Sequence, residues 1–280
     1  MNHFRMTRHY VGPIKACVLD WSGTTVDKYV LAPAVVFVEL FEKYKVPISM
    51  EESRKPMGLR KDLHIQAITR MPAVRQRWEK VYGKPPTDDD AKKMFSDFVP
   101  MQLSVLRKYG GVLPGTVQAV KQLREELGCK IGMTTGFLRS MADILLEEAK
   151  KQGFVPDVNV TGDEVENGAR PKPFMLYKNL DLLDIHPIES VVKVDDTVSG
   201  VGEALNGGCW GVGVARYSNY MDVDSLEHEE QLSPEDIESR LEHSRTLLQN
   251  AGAHYVIDSI VQLPEVVAKI NQRLAAGDKP

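Results

Sequence analysis

Cysteine is scarce in this chain: Cys17, Cys129 and Cys209 are all that 280 residues hold. Odd in number, widely spaced and each in an apolar stretch, they read as buried thiols of a reducing cytoplasm, and their spacing argues against cysteine-ligated metal. An excess of charge of one sign is lacking too. Thirty-five Lys and Arg against 39 Asp and Glu leave a net charge of -4, which gives no electrostatic reason to expect nucleic acid or an anionic membrane as partner. No apolar run reaches the ~20 residues of a membrane-spanning helix. The segment Met1 to Tyr10 carries basic side chains but not the hydrophobic stretch of a secretory leader. Repeats and low-complexity tracts are absent. What is present, 42% hydrophobic and 26% charged, is the composition of a globular cytoplasmic enzyme with room for one large domain or two small ones.

The hydrophobic pattern divides the chain. A strand at 14–20 is followed by helical periodicity to about 110, with helices expected near 35–44, 58–70, 73–82 and 87–108, the last capped by Thr87. After Gly110-Gly111, strand and helix alternate: strands at 129–133, 157–160, 190–194 and 210–214, with helices at 115–126, 138–152, 173–184 and 198–206 between them. The acidic stretch 222–240 reads as a solvated excursion, followed by a helix at 241–250, a short strand at 254–258 and a closing helix at 263–275. Alternation of this kind gives an α/β fold, a Rossmann-like doubly wound parallel sheet. The helical block is then an insertion, so the expected domains are an α/β core at 1–28 and 111–280 and an all-helical cap at 29–110.

In an open parallel sheet, ligands collect at the carboxyl ends of the strands, and four strand ends here carry suitable groups. Asp20 closes the first strand and runs into Ser22-Gly23-Thr24-Thr25, a small-residue turn whose amides can face phosphate oxygens. Thr134-Thr135-Gly136 follows the second strand, Arg170 lies in Gly168-Ala-Arg-Pro-Lys-Pro173 after the third, and Asp195-Asp196-Thr197 ends the fourth. Phosphoryl transfer spreads negative charge and calls for Mg²⁺ plus a cation. Asp20 and Asp196 suit Mg²⁺, with the Ser22 backbone carbonyl as a third ligand. Thr134 and Arg170 suit the phosphate oxygens. Asp195 either stands behind the metal or caps the next helix.

The order Asp-x-x-Gly-Thr, Thr-Thr-Gly, basic residue before proline, Asp-Asp resembles the haloacid dehalogenase superfamily of phosphotransferases. That resemblance implies Asp20 as covalent nucleophile and a helical cap inserted after the first strand. It also exposes a gap: most phosphatases of the superfamily place a second Asp two residues on, as acid for a departing alcohol, and here that position is Ser22.

The insertion contains Lys55-Pro-Met-Gly-Leu-Arg-Lys-Asp-Leu-His64, with Lys61 and His64 on one helix face, an apolar wall in Met57 and room for close approach at Gly58. Repulsion from Arg60 and Lys55 is expected to lower the Lys61 pKa and fit it for imine formation. This stretch, together with residues 20–27, Ala32-Pro33, Arg54 to Gly58 and Lys193 to Ser199, resembles the phosphonoacetaldehyde hydrolase family from about residue 14 to 258. The resemblance implies cleavage of a carbon–phosphorus bond. A carbanion leaves poorly, an iminium on Lys61 is an electron sink for it, and no departing oxygen needs an acid at position 22. It further implies proton transfer by His64, substrate contacts from Met57, Gly58, Thr134, Thr135, Gly136 and Arg170, and a homodimer formed through the cap, although the apolar face Val35–Phe41 is equally explained by core packing. Three departures stand out: Ser22 where a smaller residue is usual, Phe137 where tyrosine is frequent, and an acid gained at Asp195 while another is lost at Gly200. Two rival readings stay open here, a Mg²⁺-dependent phosphomonoesterase of the same superfamily and a catalytically silent module.

Overall fold

The structure is a computed structural model and describes residues 10–280; the segment read for a leader lies largely outside them. Strand β1 (Ala16–Asp20) is followed by the five helices of the insertion: α1 (Leu31–Lys43), α2 (Met50–Arg54), α3 (Lys61–Arg70), α4 (Pro72–Tyr82) and α5 (Asp88–Tyr109). Then come α6 (Thr116–Glu125), β2 (Lys130–Thr135), α7 (Arg139–Lys151), β3 (Val158–Thr161), α8 (Phe174–Leu183), β4 (Val191–Asp195), α9 (Val198–Gly207) and β5 (Trp210–Val214). The chain closes with α10 (Leu226–Gln231), α11 (Pro234–Asn250), β6 (Tyr255–Ile257) and α12 (Leu263–Ala275).

The six strands form one parallel sheet in the order β3-β2-β1-β4-β5-β6. All five residues of β1 are buried, as a central strand covered on both faces requires. Register does the positioning. Asp20 pairs with Thr134 and Leu19 with Val194, so the polar ends of β1, β2 and β4 emerge level with one another.

The five inserted helices have their own interior. Phe37 of α1 stacks on Phe98 of α5 at 4.7 Å and on His64 of α3 at 3.9 Å between centroids. Truncating such a ring costs about 3–5 kcal/mol. The long helix α5 begins in a reciprocal cap: Thr87 Oγ1 accepts from Asp90 N at 3.2 Å, and the Asp90 carboxylate accepts from Thr87 N at 2.9 Å. The two chain crossings beneath these helices lie side by side. Asp27 N donates to Gly111 O at 3.2 Å, and Leu113 N donates to Thr25 O at 2.8 Å.

Three expectations need correction. The helix placed at 58–70 begins only at Lys61, because Gly58 has φ +91° and turns the chain. Helix α2 was not anticipated; its five residues rest on the Ser49–Glu52 capping box. The acidic stretch 222–240 is solvated, as expected, but it is helical rather than irregular. It forms α10 and the first part of α11, which starts at Pro234 because Ser233 and Asp236 cap it and the acids of its first turn complement the helix dipole. Part of that stretch packs against the stems: Glu229 accepts from Lys28 Nζ at 3.1 Å and from Tyr29 Oη at 2.7 Å. The three cysteines are buried and unbridged. Among the described residues no helix is long and apolar enough to cross a membrane.

Candidate active site

The turn after β1 is shaped by what it must clear. Thr25 Oγ1 donates to Asp20 O at 2.8 Å and locks the turn onto the strand end. Gly23 has φ +81°, and a Cβ there would sit 2.5 Å from Asp196 Oδ2, so both backbone and space demand glycine. Asp20, 5% exposed, thus lies beside the Asp195-Asp196 pair from β4. Oxygens of all three carboxylates fall within 4.8 Å of one another.

One guanidinium organises these acids. Arg170 donates from Nη2 to Asp20 Oδ1 and to Thr134 Oγ1, each at 2.6 Å, and from Nε to Glu203 Oε2 at 3.2 Å. Its Nη1 lies 3.3 Å from Asp195 Oδ2. Lys193 adds a second buried cation, donating to Asp195 Oδ2 at 2.7 Å. Asp195 is therefore both neutralised and used as a cap. Its Oδ1 accepts from Thr197 N and Oγ1 at 3.1 and 2.7 Å, while Thr197 Oγ1 accepts from Gly200 N at the start of α9. Gly200 makes room for it, since a Cβ there would lie 1.8 Å from Asp195 Cγ.

The charges do not balance on protein groups alone. Asp20, Asp195, Asp196 and Glu203 face Arg170, Lys193 and Lys61, all buried. Burial raises Asp20 to about 6 against the pull of Arg170, and pushes Asp196 well above the usual carboxylate range with Asp195 and Asp20 adding repulsion. Asp195 also feels burial, but Arg170 and Lys193 hold it low. Asp196 Oδ2 accepts from Asn219 N at 3.0 Å, whereas its buried Oδ1 has no partner. An orphaned carboxylate oxygen among crowded acids is what a hard divalent cation relieves, so these residues fit a metal of the Mg²⁺ type.

The helical insertion supplies the opposite wall. Lys61 is the first residue of α3 and 5% exposed, its Nζ 4.8 Å from the Phe137 ring centroid and 5.9 Å from that of Phe37. Burial lowers its pKa from 10.5 to about 8, with Arg170 pushing the same way and Asp20 opposing. The expected cause was wrong. Arg60 is spent on Asp62 at 2.7 Å, and Lys55 is exposed and paired with Glu51. His64 is fully buried, and its Nε2 lies 2.7 Å from Ser53 O. A carbonyl only accepts, so Nε2 carries the proton and Nδ1 keeps a bare lone pair, buried without a partner. Burial, then the nearby Lys61, keeps the ring neutral.

Asp20, Ser22, Met57, Gly58, Lys61, Thr135, Gly136, Phe137, Arg170 and Asp196 line one cleft. Thr135 turns its Oγ1 inward to the chain, accepting from Phe137 N at 3.1 Å. Two glycines let the walls meet: a Cβ on Gly58 would lie 2.1 Å from Ser199 Oγ, and one on Gly136 would lie 2.6 Å from Leu59 O. The space left is about 20 Å³, room for roughly one water, so the walls must part to admit a substrate. Sequence reasoning missed Lys193 and Glu203. Their signal was a lone lysine inside the apolar run Val191–Val194 and a lone acid among the small residues of α9.

Residues 14–208 match the family model for haloacid dehalogenase-like hydrolases. The chain is 38% identical over 280 residues, the full length of both, to the phosphonoacetaldehyde hydrolase of Syntrophobacter fumaroxidans. It is 41% identical over 260 residues to that of Bacillus cytotoxicus, covering 93% of this chain and 97% of the relative. A crystal structure of a phosphonoacetaldehyde hydrolase-like protein from Oleispira antarctica superposes with a TM-score of 0.95 at 34% identity over all of both chains. The fold alone is shared with a β-phosphoglucomutase from Clostridium difficile, with a TM-score of 0.66 at 14% identity over 94% of this chain and 99% of that one. With buried carboxylates, a single guanidinium and an inserted lysine gathered at the carboxyl ends of β1, β2 and β4, the chain belongs to the haloacid dehalogenase-like hydrolases and, within them, to the phosphonoacetaldehyde hydrolase family.

Proposed function

We propose that this protein hydrolyses the carbon–phosphorus bond of phosphonoacetaldehyde, giving acetaldehyde and phosphate. The observation that carries the mechanism is Lys61: a buried amine with its pKa lowered to about 8, in one cleft with Asp20, where position 22 is a serine.

In this reading the neutral Lys61 amine adds to the aldehyde carbon, and loss of water gives an iminium. His64 Nδ1, unprotonated and one helical turn away, takes and returns the protons of that exchange. Arg170 holds Asp20 Oδ1, and among the described residues no donor reaches Oδ2, which is free to attack phosphorus. As that bond forms, the electrons of the carbon–phosphorus bond move into the iminium and leave as an enamine. Protonation at carbon regenerates an iminium, water releases acetaldehyde from Lys61, and a second water releases phosphate from Asp20. Two covalent stages replace expulsion of a free carbanion.

Asp20, Asp196 and the Ser22 carbonyl would hold Mg²⁺, with Asp195 behind them, and the ion would neutralise charge on the phosphoryl oxygens. Thr135, Gly136 and Arg170 would meet that group, with Thr134 behind the cleft holding Arg170 through its Oγ1 rather than lining it, and Met57 and Gly58 would meet the two-carbon chain. Residues 29–110 act as a cap that opens for substrate. The substrate is a small phosphonate, with neither nucleic acid nor membrane as partner, and three unbridged buried thiols suit the cytoplasm. The reading includes a homodimer through the cap. Val36, Phe37, Leu40 and Phe41 are buried in the cap's own interior, so that contact would use other residues, such as the exposed Val81 and Tyr82.

The test is product analysis with the Lys61→Arg variant. Acetaldehyde and phosphate should form in equal amounts from phosphonoacetaldehyde and disappear in the variant, because arginine keeps the charge but forms no imine. Full turnover of phosphonoacetaldehyde by the variant would rule out the imine, and a wild type that releases phosphate from phosphomonoesters but not from phosphonoacetaldehyde would show a phosphomonoesterase instead.

A further inference from the structure

Arg54, the last residue of α2, is a second buried guanidinium; its side chain lies outside the cleft just described, while its carbonyl accepts from Met57 N of the cleft wall at 2.9 Å. Only 3% exposed, it reaches two separate segments, the stem at Tyr29 and the stretch 219–223. Nη1 donates to Tyr29 O at 2.7 Å and to Asn219 O and Oδ1 at 3.3 Å each, and Nη2 donates to Val223 O at 2.6 Å. Asn219 answers, its Nδ2 donating to Arg54 O at 3.2 Å.

Each end of this cluster leads to the chemistry. Asn219 N is the donor that holds Asp196 Oδ2, and the preceding Ser218 Oγ donates to Asp196 O at 2.9 Å. On the other side, Ser53 O fixes the His64 ring, and the chain runs from Arg54 through Met57 and Gly58 to Lys61. Tyr29 O belongs to a stem in which Asp27, Tyr29 and Val30 all have positive φ, at +54°, +61° and +56°. A β-branched valine rarely adopts that conformation unless its surroundings impose it. Nε makes no hydrogen bond and lies 3.6 Å from Asp224 Oδ1, so the two Nη groups carry the cluster, and losing one of their acceptors would leave more of a buried charge unpaired.

We propose that Arg54 is a positioning residue that clasps the cap onto the Asp196 loop, setting Lys61 against Asp20 and the metal-binding acids in one movement. The proposal rests on the functional reading above. It predicts that losing the clasp damages two properties that a purely local structural role would leave apart: turnover and affinity for Mg²⁺.

The experiment compares wild type, Arg54→Ala and Asn219→Ala by steady-state kinetics with phosphonoacetaldehyde, by Mg²⁺ titration calorimetry, and by kinetics in added guanidinium ion. Arg54→Ala should lose about 100-fold in kcat, the scale of a small misplacement of reacting groups, with a smaller change in KM, weaker Mg²⁺ binding, and partial recovery of kcat in guanidinium. If Arg54→Ala does not fold, Asn219→Ala carries the test, since it keeps the backbone donor to Asp196 and removes only the side-chain half of the clasp; about a tenfold loss in kcat with weaker Mg²⁺ binding is expected. Folded variants with wild-type kcat and Mg²⁺ affinity would overturn the clasp. If wild type itself does not cleave phosphonoacetaldehyde, the functional reading fails, while the Mg²⁺ titration still decides the clasp.

Discussion

Replacing Lys61 by methionine should make the protein more stable as it destroys its activity. Methionine keeps the length and apolar bulk of the side chain and removes only the amine. In the unfolded chain that amine holds its proton up to the ordinary 10.5, whereas in the folded protein burial releases it near 8. Between those values the unfolded state binds more protons, so wild-type stability rises with pH from about 8 to 10.5 and carries the full penalty below 8. A drop of that size amounts to about 3 kcal/mol. Lys61→Met is therefore expected to gain about 2–3 kcal/mol near pH 7, raising Tm by about 5 °C, and to lose that advantage as pH approaches 10. Thermal melts of both proteins without Mg²⁺, near pH 7 and near pH 10, measure it. A variant no more stable than wild type near pH 7, or an advantage independent of pH, would refute the reasoning. The same shift serves catalysis: near pH 7.5 roughly a quarter of the molecules have a free amine, against about one in a thousand for an ordinary lysine.

Other outcomes follow from the same geometry. Asp20→Asn should cut turnover about 10⁴-fold, the scale of losing a nucleophile, yet still form the imine at Lys61; rapid-quench phosphate release and carbonyl trapping separate the two. Chelation should abolish turnover and Mg²⁺ restore it, and Mg²⁺ at about 100 times its Kd should stabilise the fold by about 2.7 kcal/mol in thermal melts, because it relieves the crowded Asp20, Asp195 and Asp196. Gly58→Ala, with φ +91° and a Cβ 2.1 Å from Ser199 Oγ, should unseat the cap. Its kcat/KM should fall about 100-fold.

What the sequence made legible was local. Buried parallel strands are apolar runs, and the ends of β1, β2 and β4 carry polar residues that no core position tolerates, so Asp20, Thr134 and Asp196 stood out. Thr87 marked the start of α5 because capping chemistry acts over three residues. The remainder depended on contacts between distant segments. Arg170 meets Glu203 and Asp195 only after the chain has folded, and spacing along the chain carries no trace of the Arg170–Glu203 pair. The cause of the Lys61 shift was misread for the same reason. Sequence neighbours suggested repulsion from Arg60 and Lys55, whereas the fold removes both and supplies burial and Arg170. The acidic stretch is solvated as its composition implied, but its contacts with Lys28, Tyr29 and Arg54 come from the far end of the chain and left no mark on its own sequence.

The central claim is that Lys61 becomes covalently attached to the substrate carbonyl carbon. Borohydride added with phosphonoacetaldehyde, followed by peptide mass mapping, tests it most directly. The account predicts irreversible inactivation and a single reduced adduct on the peptide containing Lys61, absent without substrate. Full activity after borohydride treatment in the presence of substrate, with Lys61 unmodified, would contradict it.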